Sequence, residues 1–266
     1  MRKVISKDGT SIAYDQLGKG PAVILISGAS TSHGANTALA ERLSSHFTIY
    51  NYDRRGRGDS SDTLPFAVER EFEDLEALIA EAGGSASLWG SSSGAILGLL
   101  AAAHGLPITK LALWEPPFSV DEDDLRRFKE YETRLGELLA QGRRGDAAAL
   151  FMSQVGLPPE FIEAARSEPW WAAQEAIAPT LAYDAAVMGD SLVPVKQAAS
   201  VTIPTIVLDG GTADPFFHAA AQALASVMPN AQLRSLPGQP HNVDPQVLAP
   251  VLVEFFAEAG KRSRNG

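Results

Sequence analysis

The sequence predicts an α/β protein: a mainly parallel, twisted sheet flanked by helices on both faces, with a helical cap insertion in the middle of the chain. Three observations predict it. Short apolar runs bounded by turn residues alternate with helical stretches, the pattern of strand–helix–strand units. The run 21–26 is continuously apolar, as a strand buried on both faces must be. The alternation stops between 118 and 197, where the chain turns charged, helical in pattern and punctuated by Gly142, Gly156, Pro158, Pro159, Pro169 and Pro179. The chain therefore divides into a core of 1–117 and 198–266 and a cap of 118–197.

Taken in order, Val4-Ile5-Ser6 and Ser11-Ile12-Ala13-Tyr14 flank an Asp8-Gly9 turn and read as a hairpin. Strand 21–26 ends at Ser27-Gly28, and a helix follows over about 36–45. Strand 47–52 leads into Asp53-Arg54-Arg55-Gly56-Arg57-Gly58-Asp59-Ser60, and helix resumes over about 66–82. Ser87-Leu88-Trp89 is a strand, and Leu111-Ala112-Leu113-Trp114 another, closing on Glu115-Pro116-Pro117. The acidic run Asp121-Glu122-Asp123-Asp124 suits a helix N-terminus, where carboxylates complement the dipole. After the cap, strand 205–208, helix 218–227 and strand 231–236 restore the alternation. A last amphipathic helix runs over about 245–259, followed by a polar tail from Gly260.

Composition removes several classes of function. The 266 residues carry a net charge of −10, and the only basic cluster is Lys261-Arg262-Ser263-Arg264, which argues against a nucleic-acid partner. The absence of cysteine excludes disulfides, thiolate nucleophiles and Cys-ligated zinc. No His/Asp spacing suggests a metal, and no cofactor motif is evident. The N-terminus runs straight into strand-like sequence and no membrane-length apolar run follows, so a cytoplasmic protein without a membrane partner is expected. The expected partner is a small-molecule substrate; the sequence leaves a homo-oligomer open.

The chemistry centres on Gly90-Ser91-Ser92-Ser93-Gly94. A strand enters this stretch and the small-residue helix Ala95-Ile96-Leu97-Gly98-Leu99-Leu100-Ala101-Ala102-Ala103 leaves it. A G-x-S-x-G run in that context is a turn sharp enough to lift the Ser92 hydroxyl above the strand end. The residues two before and two after come so close to neighbouring backbone that a Cβ would clash, hence Gly90 and Gly94. The helix that follows points its free N–H groups at the reacting centre.

The elbow, the Asp53–Ser60 loop similar to D-x-R-G-x-G-x-S, the Gly211-Thr212-Ala213-Asp214 loop similar to G-x-x-D, and Gly238-Gln239-Pro240-His241 similar to G-x-x-H together resemble the α/β-hydrolase fold superfamily, in its serine hydrolase branch with a helical cap. The resemblance covers nearly the whole chain and implies the chain order Ser92, Asp214, His241 for a catalytic triad. It implies an acyl-enzyme mechanism on a small carboxylic ester or lactone. It also admits C–C hydrolysis, cofactor-free lyase or oxygenase chemistry, cyclisation, or a non-catalytic binding homologue.

Residue by residue, Ser92 needs a base, and His241, in a Gly/Pro turn between strand and helix, is the candidate. The base needs a carboxylate to hold its tautomer. Asp214 is the first candidate, with Glu115 its rival and Asp209 and Asp244 behind them. The oxyanion is expected to meet the backbone amides of Ala29 and Ser93, with Gly28 supplying the tight turn. Ser27 stands where many members of the superfamily carry His, and Ser91 also departs from the common forms. His33 lies near enough to touch substrate. Most cap aromatics among Phe128, Tyr131, Phe151, Phe161, Trp170, Trp171 and Tyr183 are expected to pack the cap against itself, with Trp170 and Trp171 the candidates to wall the pocket, joined by Trp114.

Overall fold

The strand run 21–26 becomes β3 (Ala22–Ile26), and its side chains alternate between two apolar layers. Val23 and Leu25 point into one, Ile24 and Ile26 into the other, which is why the run has no polar position. The structure, a computed structural model, describes residues 1–257. The sheet has eight strands in the order β1-β2-β4-β3-β5-β6-β7-β8, with β1 (Arg2–Ile5), β2 (Ser11–Leu17), β4 (Thr48–Tyr52), β5 (Ala86–Ser91), β6 (Ile108–Trp114), β7 (Thr205–Gly210) and β8 (Ala231–Leu236). The β1–β2 hairpin is antiparallel and β2 pairs antiparallel with β4; every other pairing is parallel.

Helices cover both faces. On one side α1 (Thr37–Leu43) and α11 (Pro245–Ala257) supply Leu39, Leu43, Leu248, Leu252, Phe255 and Phe256 to the layer under Val23 and Leu25. The expected end of the last helix at 259, and the polar tail, lie outside the described residues. On the other side lie α2 (Val68–Glu81), α3 (Ser93–His104), α9 (Val195–Ser200) and α10 (Pro215–Val227). The small residues of α3 let it lie close to the sheet: a Cβ on Gly98 would stand 3.3 Å from Leu111 and 3.5 Å from Ile26. The expected start of the first helix is shifted, since 33–36 forms a 3₁₀ turn before α1. Helix α10 begins three residues earlier than expected, a point that decides the role of Asp214 below.

Between β6 and β7 the chain forms α4 (Glu122–Ala140), α5 (Arg144–Gln154), α6 (Pro159–Ala165), α7 (Trp171–Ile177) and α8 (Leu181–Met188), followed by α9. Asp121 caps α4 by accepting from the Asp124 amide at 2.8 Å, so the acidic run does open a helix. These helices share an apolar cluster including Phe128, Leu135, Leu138, Ala148, Trp171 and Leu181. The segments leaving and re-entering the sheet are clipped together: the Ser119 amide donates to the Ser191 carbonyl at 2.7 Å and the two hydroxyls meet at 2.6 Å. No helix among the described residues is long and apolar enough to cross a membrane.

The arginine-glycine loop after β4 is held by charge. Arg55 is buried and forks onto Asp74 through Nε and Nη2, at 2.8 and 2.7 Å, while its Nη1 meets Asp8 at 2.9 Å. Partial burial pushes the Asp8 carboxyl up, but its bonds to Arg55 and Thr10 win and hold it at about 2, below the ordinary 3.8. A carboxyl depressed in the folded state contributes stability above its unfolded pKa and loses it as the pH falls through the folded value. Asp8→Asn is therefore expected to cost on the order of 1 kcal/mol at neutral pH and nothing at the acid extreme. Urea midpoints of wild type and variant, followed downward from pH 4, should converge near pH 2.

Candidate active site

Ser92 sits between β5 and α3 with φ 54° and ψ −124°, a conformation that costs a non-glycine residue strain. Its neighbours impose it. The Ser92 amide donates to the Trp114 carbonyl at 2.8 Å, and its own carbonyl accepts from Ala95 at 2.9 Å. A Cβ on Gly90 would come 2.3 Å from the Gly94 carbonyl oxygen, and one on Gly94 would come 2.6 Å from the carbonyls of both Ile26 and Ser27. Gly28 packs on Ser92 itself: a Cβ there would lie 3.2 Å from that of Ser92.

His241 follows β8 in a loop pinned to the end of β6. The Trp114 indole N–H donates to the His241 carbonyl at 2.8 Å. His241 Nδ1 lies 2.5 Å from Glu115 Oε2, and Glu115 Oε1 accepts from the Gly210 amide at 2.7 Å. Glu115 is fully buried and has φ 44°, so the chain turns sharply as it leaves β6 and drives the carboxylate beneath the histidine. Gly210 permits the approach, because a Cβ on it would stand 2.2 Å from the Gln239 carbonyl and 3.1 Å from Glu115. With the Nδ1 proton donated to Glu115, Nε2 is the acceptor. Phe217 stacks on the imidazole at 4.4 Å and 16°.

This arrangement corrects the first choice of carboxylate. Asp214 does not stand behind His241. It caps α10, accepting from the Phe216 amide at 2.9 Å, because Pro215 starts the helix and makes the preceding residue an N-cap. Asp209 is engaged by His218 and Ser235, each at 2.7 Å, and Asp244 accepts from Gln246.

Ser92 and His241 open on one cavity of about 470 Å³. Ala29, Ser93 and Asp214 also line it. Phe216, Phe217, Pro117 and Ser119 contribute to its lining. So do Phe128, Tyr131, Phe151, Val155 and Met188, all from the β6–β7 insertion or its edge. Burial, then the neighbouring Asp184, keep the Tyr131 hydroxyl protonated, its pKa well above the usual phenol value.

Several expected pocket residues lie elsewhere. Trp114 is wholly buried in the sheet layer and serves the site through its indole bond to the His241 loop and its carbonyl, which accepts from the Ser92 amide. Trp171 is buried within the insertion, its indole N–H on Glu175 at 2.9 Å and Arg166 over its ring, while Trp170 lies 42 % exposed on the surface. His33 holds the loop after β3: its ring and its amide both meet Asp53 Oδ1 at 2.8 Å. Phe216 and Phe217 were not singled out from the sequence, although two aromatics directly after the acid loop, on a helix beginning at the sheet edge, carried the signal.

Residues 23–251 match the model of the Alpha/beta hydrolase family. A crystal structure of an alpha/beta hydrolase from Sphaerobacter thermophilus is 51 % identical, with a TM-score of 0.88, covering 96 % of this chain and all of that one. The enol-lactonase of Burkholderia xenovorans superposes with a TM-score of 0.70 at 20 % identity, over 97 % of this chain and all of that one, a likeness of fold. The N-formylmaleamate deformylase of Pseudomonas putida is 39 % identical over 106 residues, 38 % of this chain and 40 % of that protein. The chain spans at most about two fifths of the length of the curated relatives it matches. The parallel sheet, the strained serine at the end of its fifth strand and the match over most of the length lead to one conclusion: this chain belongs to the alpha/beta hydrolase family.

Proposed function

We propose that this protein is a serine hydrolase that cleaves a small carboxylic ester or lactone through an acyl-enzyme, its core of 1–117 and 198–266 carrying the reacting groups and its insertion of 118–197 serving as a cap. Ser92 Oγ attacks the carbonyl. His241 Nε2 takes the serine proton and returns it to the leaving alkoxide, and Glu115 holds the imidazole and offsets its charge when protonated. The amides of Ala29 and Ser93 receive the developing oxyanion. Water, activated by His241, then releases the acid.

The observation that carries this reading is the Glu115–His241 pair at 2.5 Å, opening on the same cavity as a serine held at positive φ. A histidine oriented by a buried carboxylate, sharing one cavity with a strained serine, is costly to maintain and has an obvious chemical use. The short stretch shared with a protein named a deformylase fits acyl transfer. The cavity suits a small substrate, with aromatic walls for an apolar acyl or alcohol portion.

The test is a fluorophosphonate label located by peptide mass spectrometry, run beside a panel of short p-nitrophenyl esters and lactones. Covalent label on Ser92, and turnover of at least one panel member with kcat/KM on the order of 10⁴ M⁻¹s⁻¹, is the expected result. Label absent from Ser92 would refute the reading; label on Ser92 with no panel member cleaved would replace ester or lactone cleavage by another reaction at the same serine.

A further inference from the structure

The cap helix α8 sends one carboxylate, Asp184, into the core, where it is 4 % exposed. Its Oδ1 accepts from Arg54 at 2.7 Å and from the Ser93 hydroxyl at 2.8 Å, and its Oδ2 accepts from Arg57 at 2.6 Å. Arg57 uses another arm on the Gly28 carbonyl, at 2.6 Å, and its Nε on Thr180 at 3.1 Å, just before α8. Arg54 is shared with Glu71, at 2.7 and 2.5 Å, so two cations face two anions in one buried cluster. Burial pushes the Asp184 carboxyl up, but Arg57 and Arg54 outweigh it and hold the group below the ordinary carboxylate range. Neither arginine is the motif arginine of the loop, which is Arg55 and is spent on Asp74 and Asp8.

On the functional reading above, we propose that Asp184 is a positioning residue for both oxyanion donors, and that it makes acyl transfer depend on the cap being seated. One donor is the Ala29 N–H. It shares a planar trans peptide with the Gly28 carbonyl and points the opposite way, so the guanidinium that fixes the carbonyl aims the amide. A cation on the carbonyl also polarises that peptide and strengthens its N–H as a donor. The other donor is the Ser93 N–H, on a residue whose side chain Asp184 grips directly. One carboxylate from the cap thus steadies both sides of the site where charge develops.

A packed apolar residue would serve stability at least as well as a buried ion cluster. The cluster instead specifies a geometry, and its two branches end on the two peptides the mechanism uses. Helix α8 is firmly seated at this point: Tyr183 donates to Asp62 at 2.6 Å and stacks on Phe66 at 3.9 Å.

The test uses the full-length chain and the panel ester that wild type turns over fastest. Active sites are counted by fluorophosphonate titration, so rates refer to labelled sites. A trifluoromethyl ketone, whose adduct places an oxyanion between the two amides, is compared with the plain methyl ketone of the same skeleton. In Asp184→Asn, kcat per site is expected to fall about 30- to 300-fold with KM changed by less than about threefold. Affinity for the trifluoromethyl ketone should fall by a similar factor, while that for the methyl ketone holds. Should Asp184→Asn fail to fold, Ser93→Ala, which removes the gripped hydroxyl and keeps the amide, is expected to show the same split at about 5- to 20-fold.

In whichever variant folds, a merely structural role would weaken both ketones alike or leave kcat per site unchanged. Either outcome overturns the inference while leaving the proposed triad intact. A wild-type protein that does not label at Ser92 overturns the functional reading and this inference with it.

Discussion

Ser92→Ala is expected to lower kcat for the best ester by about 10⁵- to 10⁶-fold while leaving the protein folded with an unchanged melting temperature. Alanine keeps the Cβ, so the strain at φ 54° and the packing against Gly28 are the same in both proteins; only the oxygen is lost. The residual rate comes from the oxyanion amides and binding alone, on the order of 10³ above water. Ser92→Gly should be equally inactive but more stable, because glycine adopts that backbone conformation without penalty. Burst-phase kinetics and thermal unfolding of the three proteins read both statements. A Ser92→Ala protein that retained a burst of acyl-enzyme would show that another residue is the nucleophile.

The fold was legible because its signals are local and repeated. Apolar runs such as 22–26 have no polar position since both faces of the strand are covered, and the glycines of the elbow are demanded by contacts of 2.3 to 2.6 Å that no other residue satisfies. The place of His241 was legible for the same reason, since it lies in a turn that the last parallel strand delivers to the sheet edge. The carboxylate was not. Strands β6 and β7 are neighbours, and each ends in a loop with an acid, at 115 and at 214. What separates them is a backbone turn, φ 44° at Glu115, and a proline that makes the other acid a helix cap; propensity rules weight the second and do not see the first.

The pocket walls were misread for a related reason. The pair at 170 and 171 is the bulkiest in the insertion, but bulk does not say which way a helix faces. Trp171 faces its own helices and Trp170 the solvent. Of the three insertion aromatics on the cavity, Phe128 and Tyr131 are three apart on α4, and the third, Phe151, comes from α5. The reach of Arg54 and Arg57 to the loop after β3 was equally hidden, because it depends on a carboxylate 127 positions further on in the case of Arg57.

Glu115→Gln and Asp214→Asn should therefore part company. Glu115→Gln is expected to lower kcat by about 10³- to 10⁴-fold, and Asp214→Asn by less than about threefold. Glutamine can still accept from the Gly210 amide with its oxygen, which turns its NH₂ toward His241 Nδ1. Nδ1 must then accept, the ring proton moves to Nε2, and the nitrogen proposed to take the serine proton can no longer do so. The loss is one of tautomer and charge, not of fold. Removing a fully buried charge that faces a neutral ring should leave the melting temperature unchanged or raise it, so lost activity with retained stability separates this cause from misfolding. At 214, asparagine caps a helix as well as aspartate does, and α10 keeps its first turn. The opposite ranking, with Asp214→Asn crippled and Glu115→Gln active, would mean that the carboxylate supporting the base during turnover is not the one that touches it at rest.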